Sequence, residues 1–218
     1  MSLALVAGAP AAALAARTSV SVRVEGANRT LLSTKAVHTH TGSITKGGTP
    51  VGTCPATTAA GALDVATGHH WSGAYSSSVG LSVTQIFGET HTFTSHDYWS
   101  IWVNNKFAPA GICGLKLHAG EQLLFAAVPV KGATEYPLVI TGPRHATAGH
   151  RVALKVTYFN AKGVARPLAG ATVHGGGGSA LTGASGNVSV TAPHVARLTF
   201  TAAKAGYIRS ASVTVRVG

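Results

Sequence analysis

Tyr98-Trp99-Ser100-Ile101-Trp102-Val103 is the stretch that decides the fold of the region around it. In an extended strand its odd-numbered residues share one side and its even-numbered residues share the other. Asn104-Asn105 follows, and Asn tolerates the positive φ that a tight turn requires. We therefore expect an aromatic strand that ends in a turn, with at least one of its sides packed in a core.

Shorter strand signals surround this stretch, with one helix among them. Val20, Val22 and Val24 alternate with polar residues, which predicts a half-buried strand. Residues 56–67 carry the one convincing helix signal, and Gly68 is expected to end that helix. We expect residues 17–131 to form a small α+β domain, with one helix packed on antiparallel strands.

The first region resembles the transcobalamin-like C-terminal domain family over about residues 18–130. The likeness is carried by the aromatic strand with its Asn pair, by Gly111-Ile112-Cys113-Gly114 and by Gly120-Glu121 before an apolar strand. Bacterial members of that family occur on secreted and surface proteins. In animal transcobalamins the related domain closes over cobalamin together with a helical barrel domain. The resemblance therefore implies cobalamin or another small-ring ligand, bound either by this chain alone or together with a separate helical partner.

Residues 137–218 carry no helix signal, and short apolar runs alternate there with Gly- and Pro-rich turns. This region resembles bacterial immunoglobulin-like domains, which act as spacers or adhesive modules. The likeness is carried by residues 149–156, 167–173 and 206–211. It implies that an all-β immunoglobulin-like sandwich follows the first domain, with residues 132–136 as the linker.

The first sixteen residues are apolar and uncharged, and they end in small side chains. This composition is typical of a secretory signal near its cleavage site, although the basic leader is missing. We interpret residues 1–16 as a truncated signal peptide and expect a secreted protein. The alternative is an Ala-rich first helix. No later stretch is a candidate for spanning a membrane.

Cys54 and Cys113 are the two cysteines of the chain. In an exported protein the default is a single disulfide, which would stabilise the fold by about 4 kcal/mol through the loop that it closes. Two buried free thiols are the alternative. A zinc site is poorly supported, because neither cysteine has a close Cys or His partner. In the resembled family fold, the disulfide would join the start of the helix to the loop after the aromatic strand.

Charge is divided unevenly along the 218 residues, which have a formal net charge of +11. Residues 17–136 hold eight basic residues and all six acids, whereas residues 137–218 hold nine basic residues and no acid. A region that has basic residues and no acids is expected to attract polyanions such as teichoic-type wall polymers, phospholipid headgroups or extracellular DNA. The alternative is a dispersed charge that only keeps the protein in solution. The candidate polyanion-binding residues are Arg144, Arg151, Lys155, Arg197, Lys204 and Arg209.

Specific nucleic-acid recognition is not expected, because no motif with interleaved aromatics accompanies these basic residues. An enzyme is not expected either, since glycosidases, aspartic proteases and two-metal phosphatases need clustered carboxylates. Catalysis would require the fold to bring Asp97, Glu89 and histidines into one cleft. The eleven histidines include the pair His38 and His40, but no carboxylate near that pair completes a metal site. We therefore expect no metal and no cofactor.

Aromatic side chains are the candidates for ligand contact, because they stack on rings and sugars. The alternative is that all of them fill the core of a small domain. The candidate ligand-binding residues are Trp71, Tyr75, Tyr98, Trp99 and Trp102. Together these features predict a secreted, non-catalytic binding or adhesion protein of the bacterial cell envelope, whose partner is an envelope polymer or a surface protein. The alternative function is binding of cobalamin or another small ring.

Overall fold

The computed structural model describes residues 17–48, 52–77, 80–132 and 134–218. In this part of the chain 53% of the residues lie in strands and 5% are helical, so the protein is mainly β. The predicted fold class, an α+β small domain followed by an all-β immunoglobulin-like sandwich, is therefore wrong. A single nine-residue helix gave that prediction its α component, although strands dominate on both sides of the helix. The predicted signal peptide, residues 1–16, lies outside the described residues.

The first half of the chain contains ten strands and one helix within the described ranges. These are β1 (Ser19–Glu25), β2 (Thr30–His38), β3 (Ser43–Thr45), β4 (Thr53–Pro55), α1 (Ala59–Thr67), β5 (Trp71–Ser76), β6 (Gly80–Ile86), β7 (Glu89–Thr90), β8 (Asp97–Val103), β9 (Lys106–Phe107) and β10 (Gln122–Pro129).

A five-stranded mixed sheet is the centre of this half, in the order β2-β1-β10-β8-β9. The strand β1 runs parallel to β10 and antiparallel to β2, so the start and the end of the half lie side by side. The alternation of the sequence appears directly in the packing, since Val22, Trp99 and Phe125 share one buried cluster with α1. On the opposite face, Trp102 and Leu124 belong to a separate buried cluster.

The helix α1 covers the first of these faces. Its N-terminal flanking residue, Thr58, is extended, but its hydroxyl donates to the Pro55 carbonyl instead of capping the helix. Gly68 ends the helix in the left-handed conformation, at φ 60°, as predicted. No helix of the described residues is long and apolar enough to cross a membrane.

A disulfide joins Cys54 of β4 to Cys113 in the loop between β9 and β10. The same loop runs along the start of α1, where the Ala59 amide donates to the Leu115 carbonyl at 3.0 Å. The predicted pairing of the two cysteines is confirmed. The cross-link joins β4, which precedes α1, to the loop that leads into β10 of the central sheet.

The second half contains ten further strands. These are β11 (Tyr136–Thr141), β12 (His145–Ala146), β13 (Arg151–Phe159), β14 (Ala165–Pro167), β15 (Thr172–Gly175), β16 (Gly178–Leu181), β17 (Asn187–Thr191), β18 (Ala196–Ala203), β19 (Tyr207–Ile208) and β20 (Val213–Val217). One sheet has the order β14-β13-β11-β19, with β17 also paired to β13, and the other has the order β12-β20-β18-β15-β16. Both sheets bury their apolar sides in one cluster, in which Val156 and Phe200 are fully enclosed.

The two halves meet across the outer face of the central sheet. Trp102 and Leu124 pack there with Ile208, and Tyr136 lies at the edge of the same cluster. Beside it, the buried Glu25 accepts hydrogen bonds from Arg23 at 2.7 Å and from Arg209 of the second half at 3.1 Å. The face that the sequence left without a partner is therefore covered by the rest of the chain.

Candidate binding sites

Two of the five predicted ligand-binding aromatics are core residues. Trp71 is 3% exposed and its indole donates to Asp64 at 2.8 Å. Trp102 is 1% exposed and donates to the Ser100 hydroxyl at 3.0 Å. Both indoles are enclosed on their polar and apolar sides, so neither presents a face to a ligand. Tyr75, on β5, is exposed and does not line the groove described next.

Tyr98 and Trp99 do meet at an open site. The strand β8 is paired along one side with β10, but on its other side β9 covers only Trp102 and Val103. The uncovered part of that edge borders a pocket of about 270 Å³, whose far side is β6. We call it the aromatic groove, defined by Leu81, Phe93, Tyr98, Trp99, Phe107 and Ile112.

The groove combines an apolar lining with one unsatisfied donor. Trp99 is 5% exposed, and its indole Nε1 is the one buried side-chain atom without a hydrogen-bond partner in the described ranges. Phe93, which is 53% exposed, stacks on Tyr98 with the ring centroids 4.8 Å apart. Burial raises the pKa of Tyr98, which keeps its hydroxyl protonated. Because the indole nitrogen of Trp99 is itself enclosed, the groove offers a ligand its apolar and aromatic lining and suits an uncharged ring.

Phe93 and Phe107 were missed by sequence reasoning. Phe93 stands alone in a polar run of Thr, His and Ser, and Phe107 lies in a two-residue strand after the Asn turn. The signal available in the sequence was a single aromatic residue in a polar loop. Its sequence neighbours are polar, so they form no apolar cluster in which the ring could be buried.

A row of carboxylates and histidines lies next to the groove. His91 Nε2 is 2.8 Å from Glu89, His91 Nδ1 is 3.9 Å from Asp97, and Asp97 also contacts His96 at 2.7 Å. The fold thus brings together the residues that catalysis would need. However, His91 is only 9% exposed, its ring meets the Trp99 ring edge to face, and none of the four residues lines the groove. The row therefore links β7 to β8, with His91 packed against Trp99 and His96 exposed to solvent.

Two further carboxylates are also bonded within the fold. Asp64 contacts His69 at 2.6 Å and Glu121 accepts from the His118 amide at 2.9 Å. No group of three or more His, Cys, Asp or Glu side chains is arranged to hold a metal ion among the residues that the structure describes. Most of the basic side chains consequently face solvent without an acidic partner.

Three arginines gather on the sheet of the second half that contains β20. Arg197 of β18 lies directly opposite Arg216 of β20, and Arg216 lies opposite His145 of β12. Arg144 adjoins them, and its carbonyl accepts from the Arg216 amide at 3.0 Å. These residues are exposed and, with Thr214, line an open cleft of about 380 Å³. We call this surface the arginine face, defined by Arg144, His145, Arg197 and Arg216.

The other predicted polyanion-binding residues lie elsewhere. Arg151 and Lys155 are exposed on β13 of the opposite sheet. Lys204 donates to the Ala169 carbonyl at 2.6 Å. Arg209 is committed to Glu25 at the junction of the halves. The structure therefore brings together only Arg144 and Arg197 of the six predicted residues.

The sequence did contain a signal for the fourth member of the face. Arg216 lies between Val215 and Val217, both buried, so the alternation of a strand directs it outward. Its proximity to Arg197 depends on the pairing of β18 with β20, which periodicity alone does not reveal.

Scans against protein-family models and against curated proteins found no match to this chain, so both family resemblances stay predictions.

Proposed function

We propose that this protein is a secreted, non-catalytic binding or adhesion protein of the bacterial cell envelope, whose basic second half associates with anionic polymers. The arginine face is the observation that carries the proposal, because it concentrates positive charge in a half of the chain that has no acid. The disulfide supports export, since such bonds persist in oxidising compartments.

Association through these charges depends on ionic strength. Salt screens exposed charges over about 8 Å at physiological concentration, and bound counterions are released when phosphates are neutralised. An envelope polymer with one negative charge per repeat would contact several basic residues at once. A non-catalytic role is consistent with five of the six acids, which are bonded to basic groups, hydroxyls and amides of the fold.

The test is retention of the full chain on purified bacterial cell walls. We expect the protein to sediment with the walls in about 50 mM NaCl and to be released as the salt rises through about 200 mM. Walls stripped of their anionic polymers are the control and should retain little protein. Retention that is absent at low salt, or unchanged by salt and by stripping, would contradict the proposal.

The second candidate function is binding of a small ring, and the apolar, aromatic lining of the groove favours it. A volume of about 270 Å³ encloses a single small ring system, since ligand pockets usually measure about 300–1,000 Å³. A cobalamin would contact the groove with one edge only. Calorimetric titration with cobalamin, together with quenching of Trp fluorescence, tests this function, and the absence of both signals would remove cobalamin as the ligand.

A further inference from the structure

The arginine face differs from a general positive surface in its geometry. Its side chains come from three neighbouring strands, β12, β20 and β18, in one continuous sheet. Neighbouring strands lie about 4.8 Å apart, so Arg197 and Arg216 project side by side. No ion pair involves any member of the face within the described residues.

This arrangement destabilises the free protein. Like charges directly opposite each other on neighbouring strands repel, and residues 137–218 contain no Asp or Glu side chain that could intervene. An anion placed between the two guanidinium groups would remove the repulsion. A cross-strand arginine pair that lacks a partner in its own half is therefore complementary in charge to an external anion.

The chemistry of the side chains favours phosphate among the anions. The planar guanidinium group presents paired N–H donors that match two oxygens of one phosphate, and several such groups can grip successive phosphates. The cleft is concave and open along the sheet. A linear chain can enter such a cleft, whereas a planar bilayer contacts only its rim.

We propose that the arginine face binds the phosphate groups of a linear phosphodiester polymer, with Arg197 and Arg216 as the central contacts. This inference rests on the proposed function and deepens it, because it replaces a diffuse attraction by a defined site. Arg144 and His145 extend the site along β12.

The test uses labelled poly(glycerol phosphate) as the probe and fluorescence anisotropy at several salt concentrations. The variant Arg197→Gln/Arg216→Gln should lose about tenfold or more in affinity, because each charge-assisted contact is lost. The slope of its plot of log affinity against log salt concentration should decrease in magnitude by about one to two. The matched control Arg151→Gln/Lys155→Gln removes the same charge from the opposite sheet and should lose only about two- to threefold.

A conservative variant separates the contribution of the paired guanidinium N–H donors from that of the positive charge. Arg197→Lys/Arg216→Lys keeps the net charge but presents point charges, so it should recover only part of the lost affinity. Circular dichroism and urea unfolding should show all variants folded, because the substituted side chains are exposed. Arg197→Gln should, in addition, unfold at the same or a higher urea concentration than the unmodified protein, since it relieves the repulsion.

The outcomes are distinct. Equal losses in the face variant and the control would overturn the inference and leave the proposed function standing as a diffuse attraction. No binding by the unmodified protein, with no retention on cell walls, would overturn both. Tighter binding to phosphatidylglycerol vesicles, or equal occupancy by inorganic phosphate at matched phosphate concentration, would overturn the assignment to a polymer.

Discussion

At the scale of single residues, the carboxylates explain why so much positive charge remains free. Glu25 is 2% exposed and lies between Arg23 and Arg209, and Thr30 donates to it at 2.9 Å. Burial lowers the pKa of Arg23, as does the neighbouring Arg209, whereas the Glu25 carboxylate raises it. Acids placed in this way stabilise the fold, and they leave the basic residues of the surface uncompensated.

The pKa of Glu89 leads to a prediction on acid stability. Burial opposes its ionisation, but hydrogen bonds from His91 and from the Ala27 amide outweigh burial and lower the pKa. A carboxyl group with a lowered pKa stabilises the fold above its unfolded pKa of about 4.3, and this contribution is lost as the pH falls through the folded pKa. In urea titrations Glu89→Gln should be less stable than the unmodified protein at pH 6, with a difference that shrinks at pH 3.

Glu135 provides the opposing control for this experiment. Burial and the nearby Asp97 raise its pKa, while Arg209 acts in the other direction. Its ionisation therefore disfavours the folded state above about pH 4.3. Glu135→Gln should be as stable as the unmodified protein at pH 6, or more stable. A loss in Glu89→Gln that is the same at both pH values would show that the carboxylate acts through packing alone.

At the scale of elements, the sequence predicted local features better than it predicted the fold class. The core-facing side of β8, the end of α1 at Gly68 and the disulfide all follow from local pattern or residue type. Which strands become neighbours does not, because pairing depends on contacts between residues far apart in the chain. The arginine face and the groove are both created by such pairing, so only their individual members, such as Arg197 and Tyr98, were identified in advance.

The helix supplies a prediction at this scale. A Cβ atom on Gly61 would collide with the Ala56 carbonyl and lie 2.9 Å from the Ala56 Cα. Replacing glycine by alanine inside a helix normally stabilises it by about 1 kcal/mol. Here we expect Gly61→Ala to destabilise the protein by about 1–3 kcal/mol in urea unfolding, because backbone must move.

The matched control is Gly178→Ala on β16, where a Cβ atom would meet nothing within 4 Å. That variant should stay within about 0.5 kcal/mol of the unmodified protein. A stabilised Gly61→Ala variant would mean that α1 shifts on the sheet at little cost.

At the scale of the whole molecule, the two halves have different electrostatic characters but share a junction. The cluster of Trp102, Leu124 and Ile208 is continuous across it, and Glu25 fixes Arg209 beside that cluster. The sequence suggested an independent pair of domains, because apolar patterning does not reveal that the second face of β8 is covered by β19. We therefore expect the two halves to unfold as one cooperative structure.

Calorimetry tests this cooperativity. The unmodified protein should unfold in one transition, whereas Glu25→Gln/Ile208→Ala should unfold in two. Removing one partner of a buried ion pair destabilises a protein by about 3–5 kcal/mol. The cavity left by Ile208→Ala adds a further loss of about 2–5 kcal/mol. Glu121→Gln removes a carboxylate whose hydrogen bonds are to His118 of the first half, and this variant should keep one transition. Two transitions in the unmodified protein would mean that the junction does not couple the halves.

The parallel pairing of β1 with β10 also sets the order of events during synthesis. Ser21 leaves the ribosome early, but its partner Gln122 follows only after the whole intervening chain has been made. At about 5–20 residues per second, that delay amounts to roughly 5–20 s. Throughout it β1 has one neighbour, β2, and its other edge is free to pair with foreign strands. The central sheet of the nascent chain therefore stays incomplete for this interval, and its open edge needs protection from aggregation until β10 has been made.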